Sequence, residues 1–311
     1  MADKDGISSI LQKGDIFILD RGFRDIVSHL EDLGFEVLMP SLKGKRRQLT
    51  WQKSNQSRFV TKVRWVVEAA HGIIGRKFQL IHNQLDNKML HRVKPVVQIA
   101  CFLYNKFAKR LSTDYKLQDE IFQRMKDRKS YSNRLAVQKE EEKWERRKSL
   151  FTSLSSTELN DFPELDRKDL QIFFTGTYQL QQAISCLAEL VSHSELSAIP
   201  VFLYKENEEE ADMKLIKVEV RSRHINRKKY RLFIKYQSNK NTVDGILDYS
   251  CECANGNRTV GSCSHVAAVV YFLSHGKYQS KILRPNDILT NLFESDLPSS
   301  EVTIEEDSDE D

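Results

Sequence analysis

Seventeen residues near the carboxyl end constrain this chain more than any others. They read Tyr249-Ser250-Cys251-Glu252-Cys253-Ala254-Asn255-Gly256-Asn257-Arg258-Thr259-Val260-Gly261-Ser262-Cys263-Ser264-His265. As spacing this is C-x-C-x9-C-x-H, and it holds three of the five cysteines in 311 residues. Three thiolates and one imidazole make a complete tetrahedral ligand set for Zn²⁺ and leave no position for water, so such a site is structural and not hydrolytic. Side chains alternate along a strand, so the spacing predicts Tyr249, Cys251 and Cys253 on one strand face. Asn255-Gly256-Asn257 is a turn signal. Gly261-Ser262 is a second turn, with Ser262 or Ser264 as cap of an apolar helix over residues 265–273. The plainer reading is that the cysteines are buried without a ligand. Two paired doublets of ligand-type residues around a turn weigh against it.

The doublets and the apolar helix together resemble the SWIM-type zinc finger. The likeness runs from the strand before Cys251 to the helix ending near Leu273 and includes all four ligand positions: Cys251, Cys253, Cys263 and His265. It implies a zinc-bound β-β-α module that contacts DNA or other proteins, without saying which.

The length allows about two domains. A net charge of +4 hides an asymmetry: residues 41–110 hold sixteen Lys/Arg against two acids, and 294–311 hold nine acids and no Lys/Arg. A basic front and an acidic tail point to a polyanion partner and a solvated or self-masking tail. Cysteines committed to a metal call for a reducing compartment. Cys101 and Cys186 lie in apolar helical stretches and read as core. No apolar run approaches the length of a membrane span, and no signal peptide is visible. The expectation is an intracellular chain with no membrane partner, in the nucleus if the partner is DNA, with Lys43-Gly44-Lys45-Arg46-Arg47 as a weak import signal.

Residues 14–40 read as strand, helix, strand. Asp15-Ile16-Phe17-Ile18-Leu19 is an unbroken apolar run of the kind buried on both faces of a parallel sheet. Ile26, Val27, Leu30 and Leu33 space as an amphipathic helix that Gly34 stops, and residues 35–39 form the next strand. Residues 41–56 read as a basic, polar loop. A helix over 57–72 follows, with Val60, Val63, Val67 and Ala70 at helical spacing. Taken alone, Asp20 is a loop aspartate that caps the next helix, and Glu68 is the partner of Arg64 in an i,i+4 pair worth about 0.3–0.5 kcal/mol.

Taken together, Leu19-Asp20-Arg21-Gly22-Phe23-Arg24-Asp25 and the helix through Glu68 resemble the DDE nuclease domain of Harbinger-type transposases over residues 14–106. That family has an RNase H-like fold in which three carboxylates hold two divalent metals. By position, Asp20 matches the second acid and Glu68 the third. The first aspartate of the family, on its first strand, has no counterpart here, because Asp3 and Asp5 lie in a polar stretch. A two-metal mechanism needs a clamp on attacking and leaving oxygens. The expectation is therefore an incomplete nuclease fold without activity. Mg²⁺ or Mn²⁺ enters only if a missing segment or a partner completes the site.

Residues 140–148 read as a solvated, charged helix. Residues 166–178 and 179–192 read as two helices broken near Gly176, the second with Leu180, Ala183, Ile184, Leu187 and Leu190 on one stripe. Alternating runs at 215–220 and 230–236, then 246–249, predict an antiparallel meander whose last strand presents the ligands. Its outward positions are basic, among them Lys217, Arg221, Arg223, Lys229 and Arg231. Two readings stand for them, a nucleic-acid face and an ordinary charged sheet face. With Lys62 and Arg64, the residues Arg221, Arg223 and Lys229 are the candidate nucleic-acid contacts. Residues 205–212 and 294–311 read as acidic and disordered.

The fold expected is α+β: an incomplete RNase H-like domain over 1–110, a helical connector over 111–195, an antiparallel sheet with the SWIM-type finger over 196–285 (core 249–273), and an acidic tail over 286–311. Three functions are in play: a non-catalytic, zinc-stabilised, transposase-derived binder of DNA or protein; a metal-dependent nuclease completed from elsewhere; and a protein-interaction module only.

Overall fold

A computed structural model describes residues 11–107, 115–144, 146–192, 199–204, 212–222 and 228–279. The chain divides into two compact units, Met1–Arg110 and Leu111–Asp311.

In the first unit, β1 (Ile16–Ile18) pairs in parallel with β2 (Glu36–Leu38), Ile16 opposite Glu36. A 3-10 turn over Arg21–Ile26 and helix α1 (Val27–Asp32) make the crossover. Gly34 ends it at φ 91°, a left-handed conformation that costs glycine little, and its carbonyl accepts the Gly14 N–H at 2.9 Å. The run 15–19, expected to be buried on both faces, is not: Ile16 is 54% exposed. Among the described residues β1 pairs with β2 alone, and so small a sheet has too little structure around it to cover both faces.

The long helix α2 (Trp51–Lys77) starts inside the stretch expected to be loop, because Thr50 caps it through the Lys53 N–H. Its buried face is largely polar. Ser54, Asn55, Ser57 and Arg58 are buried beside Val60, while Val63 and Val67 are exposed. Ser57 Oγ accepts the Ser41 N–H and donates to the Lys53 carbonyl, each at 2.8 Å. Such bonds let a polar face replace the expected valine stripe. A short helix α3 (Gln79–His82), a 3-10 helix over Asn87–Arg92 and α4 (Val93–Phe107) complete the unit's described helices, with Ala100 buried on α4 and Cys101 half-buried.

The second unit is built on one antiparallel sheet in the order β3-β4-β5-β6-β7. Its strands are β3 (Phe151–Ser155), β4 (Pro200–Tyr204), β5 (Met213–Arg221), β6 (Lys229–Gln237) and β7 (Ile246–Cys251). The meander β5-β6-β7 is where the alternating runs placed it. β3 lies outside the region expected to form the sheet, since the serines of Phe151–Ser155 favour turns.

Alternation sends Ile216, Val218 and Val220 of β5 and Leu232, Ile234 and Tyr236 of β6 to one face. There they meet α7 (Arg167–Phe174), α8 (Thr177–Ser192) and α9 (Ser264–Ser274) in a single core. Asp166 caps α7 through the Asp169 N–H at 2.7 Å, and Thr175 ends it at φ 61°. Asp161 fastens the preceding loop to the β5–β6 hairpin through Lys214 Nζ and Ser238 Oγ, both at 2.8 Å.

The opposite face is partly covered too, and that corrects the outward placing of Lys217, while Arg221 and Lys229 at the ladder end stay exposed. Leu215 and Phe233 pack there against Leu135, Trp144 and Phe151. Lys217 is buried, its ammonium over the rings of Phe151 and Phe202 at 5.5 and 5.3 Å. The cover comes from Leu135 of α6 (Arg134–Glu141) and Trp144 of the turn after it, whereas α5 (Tyr115–Lys129) packs against α7. The solvated helix expected over 140–148 stops at Glu141. Lys143 turns left-handed (φ 54°) and Trp144 is buried to 1% exposure. Residues 111–195, read as a connector, thus contribute α5–α8 to the same unit as the sheet. Arg223, most of 205–212 and the whole of 286–311 lie outside the described residues. Among the described residues no helix is long and apolar enough to cross a membrane.

Candidate metal centre

β7 delivers Tyr249 and Cys251 to the core face, as period two requires. The strand ends at Cys251, so Cys253 reaches the same place from a turn and not from the strand face expected of it. The turn closes through Gly256 N–H to the Cys253 carbonyl at 3.0 Å and Cys251 N–H to the Gly256 carbonyl at 3.1 Å. Gly256 is needed for approach: a Cβ there would overlap the Cys251 carbonyl, backbone against backbone. The next segment returns under Tyr249, whose buried hydroxyl donates to the Gly261 carbonyl at 2.8 Å. The cap of α9 is neither serine foreseen for it. Cys263 Sγ accepts the Val266 N–H at 3.5 Å.

The result is one group, Cys251, Cys253, Cys263 and His265, all buried, whose ligand atoms lie within 4.8 Å of one another. Among the described residues it is the one cluster of three or more such side chains. A tetrahedral Zn²⁺ with bonds near 2.3 Å sets its sulfurs about 3.8 Å apart, so a small inward movement suffices. The donor set fits for chemical reasons as well. His265 Nδ1 is buried with no hydrogen-bond partner, an arrangement that is costly unless the imidazole binds something. Burial and hydrogen bonds from its two neighbours push the Cys251 thiol well up. Hydrogen bonds from Cys251 and Cys253 hold Cys263 well below its ordinary value. A divalent ion would remove the need for those thiols to share protons.

Residues that the spacing did not single out build the surround. Glu252 points away from the thiols and takes Arg231 as a partner. The guanidinium lies 2.8 Å from Oε1, and the Arg231 N–H donates to Oε2 at 3.1 Å. Period two could have found this pair, since Glu252 sits between two inward cysteines. Asn133 caps α6 with its carbonyl oxygen, and its amide donates to the Tyr249 carbonyl at 3.0 Å and the Asn257 carbonyl at 3.2 Å. Thr259 Oγ1 lies 3.0 Å from both the Arg128 and Tyr131 carbonyls. Nothing local in the sequence announces these contacts. The Tyr230 ring lies 4.9 Å from that of His265, and Lys228 Nζ lies 5.0 Å from the Tyr230 ring centre.

Substituting Gly256→Ala is expected to lower the metal affinity of the chain by about tenfold or more, because the added methyl must displace the Cys251 backbone. Competition with a chromogenic chelator measures it. Parent-like affinity would mean the turn is looser than described.

In the first unit, Asp20 lies in the loop after β1 and caps the 3-10 turn through the Arg21 N–H at 2.6 Å. Its other oxygen pairs with Arg64 Nη2 of α2 at 3.2 Å. Arg64, expected to pair with Glu68 or contact nucleic acid, is thus engaged by Asp20 and mostly covered, at 19% exposure. Glu68 lies one turn further along α2, and its side chain is outside the described residues. Lys62 is half-buried, and burial, with Arg58 beside it, pulls its pKa down to about 8. Arg221 and Lys229 face each other directly at the end of the β5–β6 ladder.

Compared with known families, residues 1–105 match a family described as DDE superfamily endonuclease. The match falls within the first unit and marks it as a transposase-like DDE region. Comparison with curated proteins and with solved structures gave no match.

Proposed function

We propose that this chain is a transposase-derived, zinc-binding protein that binds DNA and does not cut it. The observation that carries this reading is the buried Cys251–Cys253–Cys263–His265 set. Four soft or borderline donors gathered in a core, with no position left for water, suit a structural Zn²⁺ in a SWIM-type finger. Zinc there holds β7, the turn and the start of α9 together and does no chemistry of its own.

Two features support binding without cleavage. The Asp20 carboxylate is committed to Arg64 and to a backbone N–H, and a carboxylate that neutralises a guanidinium is a poor ligand for Mg²⁺. The ladder end of β5 and β6 sets Arg221 opposite Lys229, with Lys228 next to it. Like charges directly opposed destabilise a sheet end unless an anion lies across them. A phosphate backbone is such an anion.

Three measurements test the reading on the full chain. Metal analysis should return one zinc per chain, and metal-free folded protein ends the proposal. Binding to a short duplex should weaken steeply with salt, and Arg221→Ala or Lys229→Ala should each reduce the log–log slope by about one. Salt-independent binding, or none, would favour an interaction module. A nicking assay in Mg²⁺ or Mn²⁺ should be blank; nicking that disappears in Glu68→Ala would establish the nuclease instead.

A further inference from the structure

Resting on the zinc reading above, we infer that Arg258 is the internal counter-ion of the metal centre: its guanidinium cancels the single negative charge that three thiolates and a neutral imidazole leave on a divalent ion. Arg258 lies in the loop between the two ligand doublets and is only 7% exposed. Its Nε is buried with no hydrogen-bond partner. No carboxylate among the described residues pairs with it; burial pulls its pKa down, and the groups whose charge would oppose that are Cys263, Cys253 and the phenol of Tyr249. A guanidinium with five donors is rarely buried without an anion. The loop that carries Arg258 joins the two ligand doublets, so the anion available to it is the cysteine cluster.

The charge sum is simple. Three thiolates contribute −3, the ion +2 and Arg258 +1, so the buried centre is neutral. Glu252, the nearest acid in sequence, is already spent on Arg231 at 2.8 Å and adds nothing to the total. A net charge in an apolar core is costly, and neutrality removes that cost. The balance closes for a divalent ion. A monovalent ion would leave the centre at −1, and a trivalent ion would leave it at +1. Arg258 is thus a positioning residue that matches the site to the charge of the metal and binds no metal itself.

The test uses Co²⁺ as a visible probe in the full chain, with Zn²⁺ affinity read by displacement. The parent should show thiolate-to-cobalt charge transfer and tetrahedral ligand-field bands. Arg258→Met, which keeps bulk and removes charge, should keep the bands but weaken Co²⁺ binding by about tenfold or more, and Arg258→Lys should restore most of the affinity. Parent-like affinity in Arg258→Met overturns the inference, as does equal weakness in the Met and Lys variants, which would mean that shape and not charge matters. If Arg258→Met does not fold, Arg258→Lys decides: affinity within about threefold of the parent upholds the inference and a loss of about tenfold overturns it. A parent that takes up no Co²⁺ overturns the zinc reading and this one with it, whereas a normal parent with an indifferent Arg258→Met overturns this one alone.

Discussion

Stripping the metal at neutral pH, or replacing Cys253 with serine, will unfold the second unit as a whole. From spacing alone, one expects the loss to centre on residues 215–275 and to leave the helices of 165–192 less affected. Packing argues otherwise. α9 starts at the last ligand, and Val266 to Val270 are fully buried in the core that α7 and α8 share with the sheet. Losing the ion leaves three crowded thiols, a stranded His265 Nδ1 and a buried Arg258 without an anion. Structural zinc contributes about 10–16 kcal/mol in small fingers, and a whole domain is stable by about 5–15 kcal/mol. The first quantity matches the second, so little order should survive. Hydrogen exchange resolved by segment is the measurement. α8 and β5 should lose protection together with β7 and α9. Protection retained in α7 and α8 after chelation, or an unchanged melting temperature in Cys253→Ser, would refute it.

Trp144→Ala should destabilise the same unit by about 3–5 kcal/mol, the usual cost of emptying a large aromatic site. Trp144 is 1% exposed and lies 5.4 Å from the Phe233 ring, 5.8 Å from Tyr204 and 6.4 Å from Phe151. Its indole N–H donates to Glu142 Oε2 at 2.7 Å, so the polar end is satisfied while the rings fill the second face of the sheet. No side chain of the neighbouring α6 has the volume to replace it. Urea unfolding of the holo-protein should show a lower midpoint with an unchanged slope. A change under about 1 kcal/mol would fit a solvated segment and would mean that the second face is not a core.

These two expectations mark how far the sequence could be read. Short-range patterns survived. The cysteine doublets, the apolar helix behind them, the β5-β6-β7 meander and the break at Gly176 all came from spacing within about twenty residues, where period and turn chemistry act. Errors arose where a second element decides. Lys217 and Trp144 both sit in charged surroundings that read as solvated; the turn after α6 carries Trp144 onto the sheet, and the rings of Phe151 and Phe202 from β3 and β4 lie against the Lys217 ammonium. α2 shows the converse. Its valine stripe has the right period for a core face, yet Ser54, Asn55, Ser57 and Arg58 are buried instead, because the chain at Ser41 supplies a hydrogen-bond partner for Ser57.

By itself, then, the sequence determined which four side chains could meet at one ion, since they lie within fifteen residues of one another and a strand, a tight turn and a helix start suffice to gather them. Only the tertiary structure decided what that ion would hold in place. Asn133 reaches the Tyr249 carbonyl across 116 positions, and Thr259 reaches the Arg128 carbonyl across 131. Local preference carries no information over such separations. A polar side chain there acquires its role only when packing removes water from both partners and leaves each with no better bond to make.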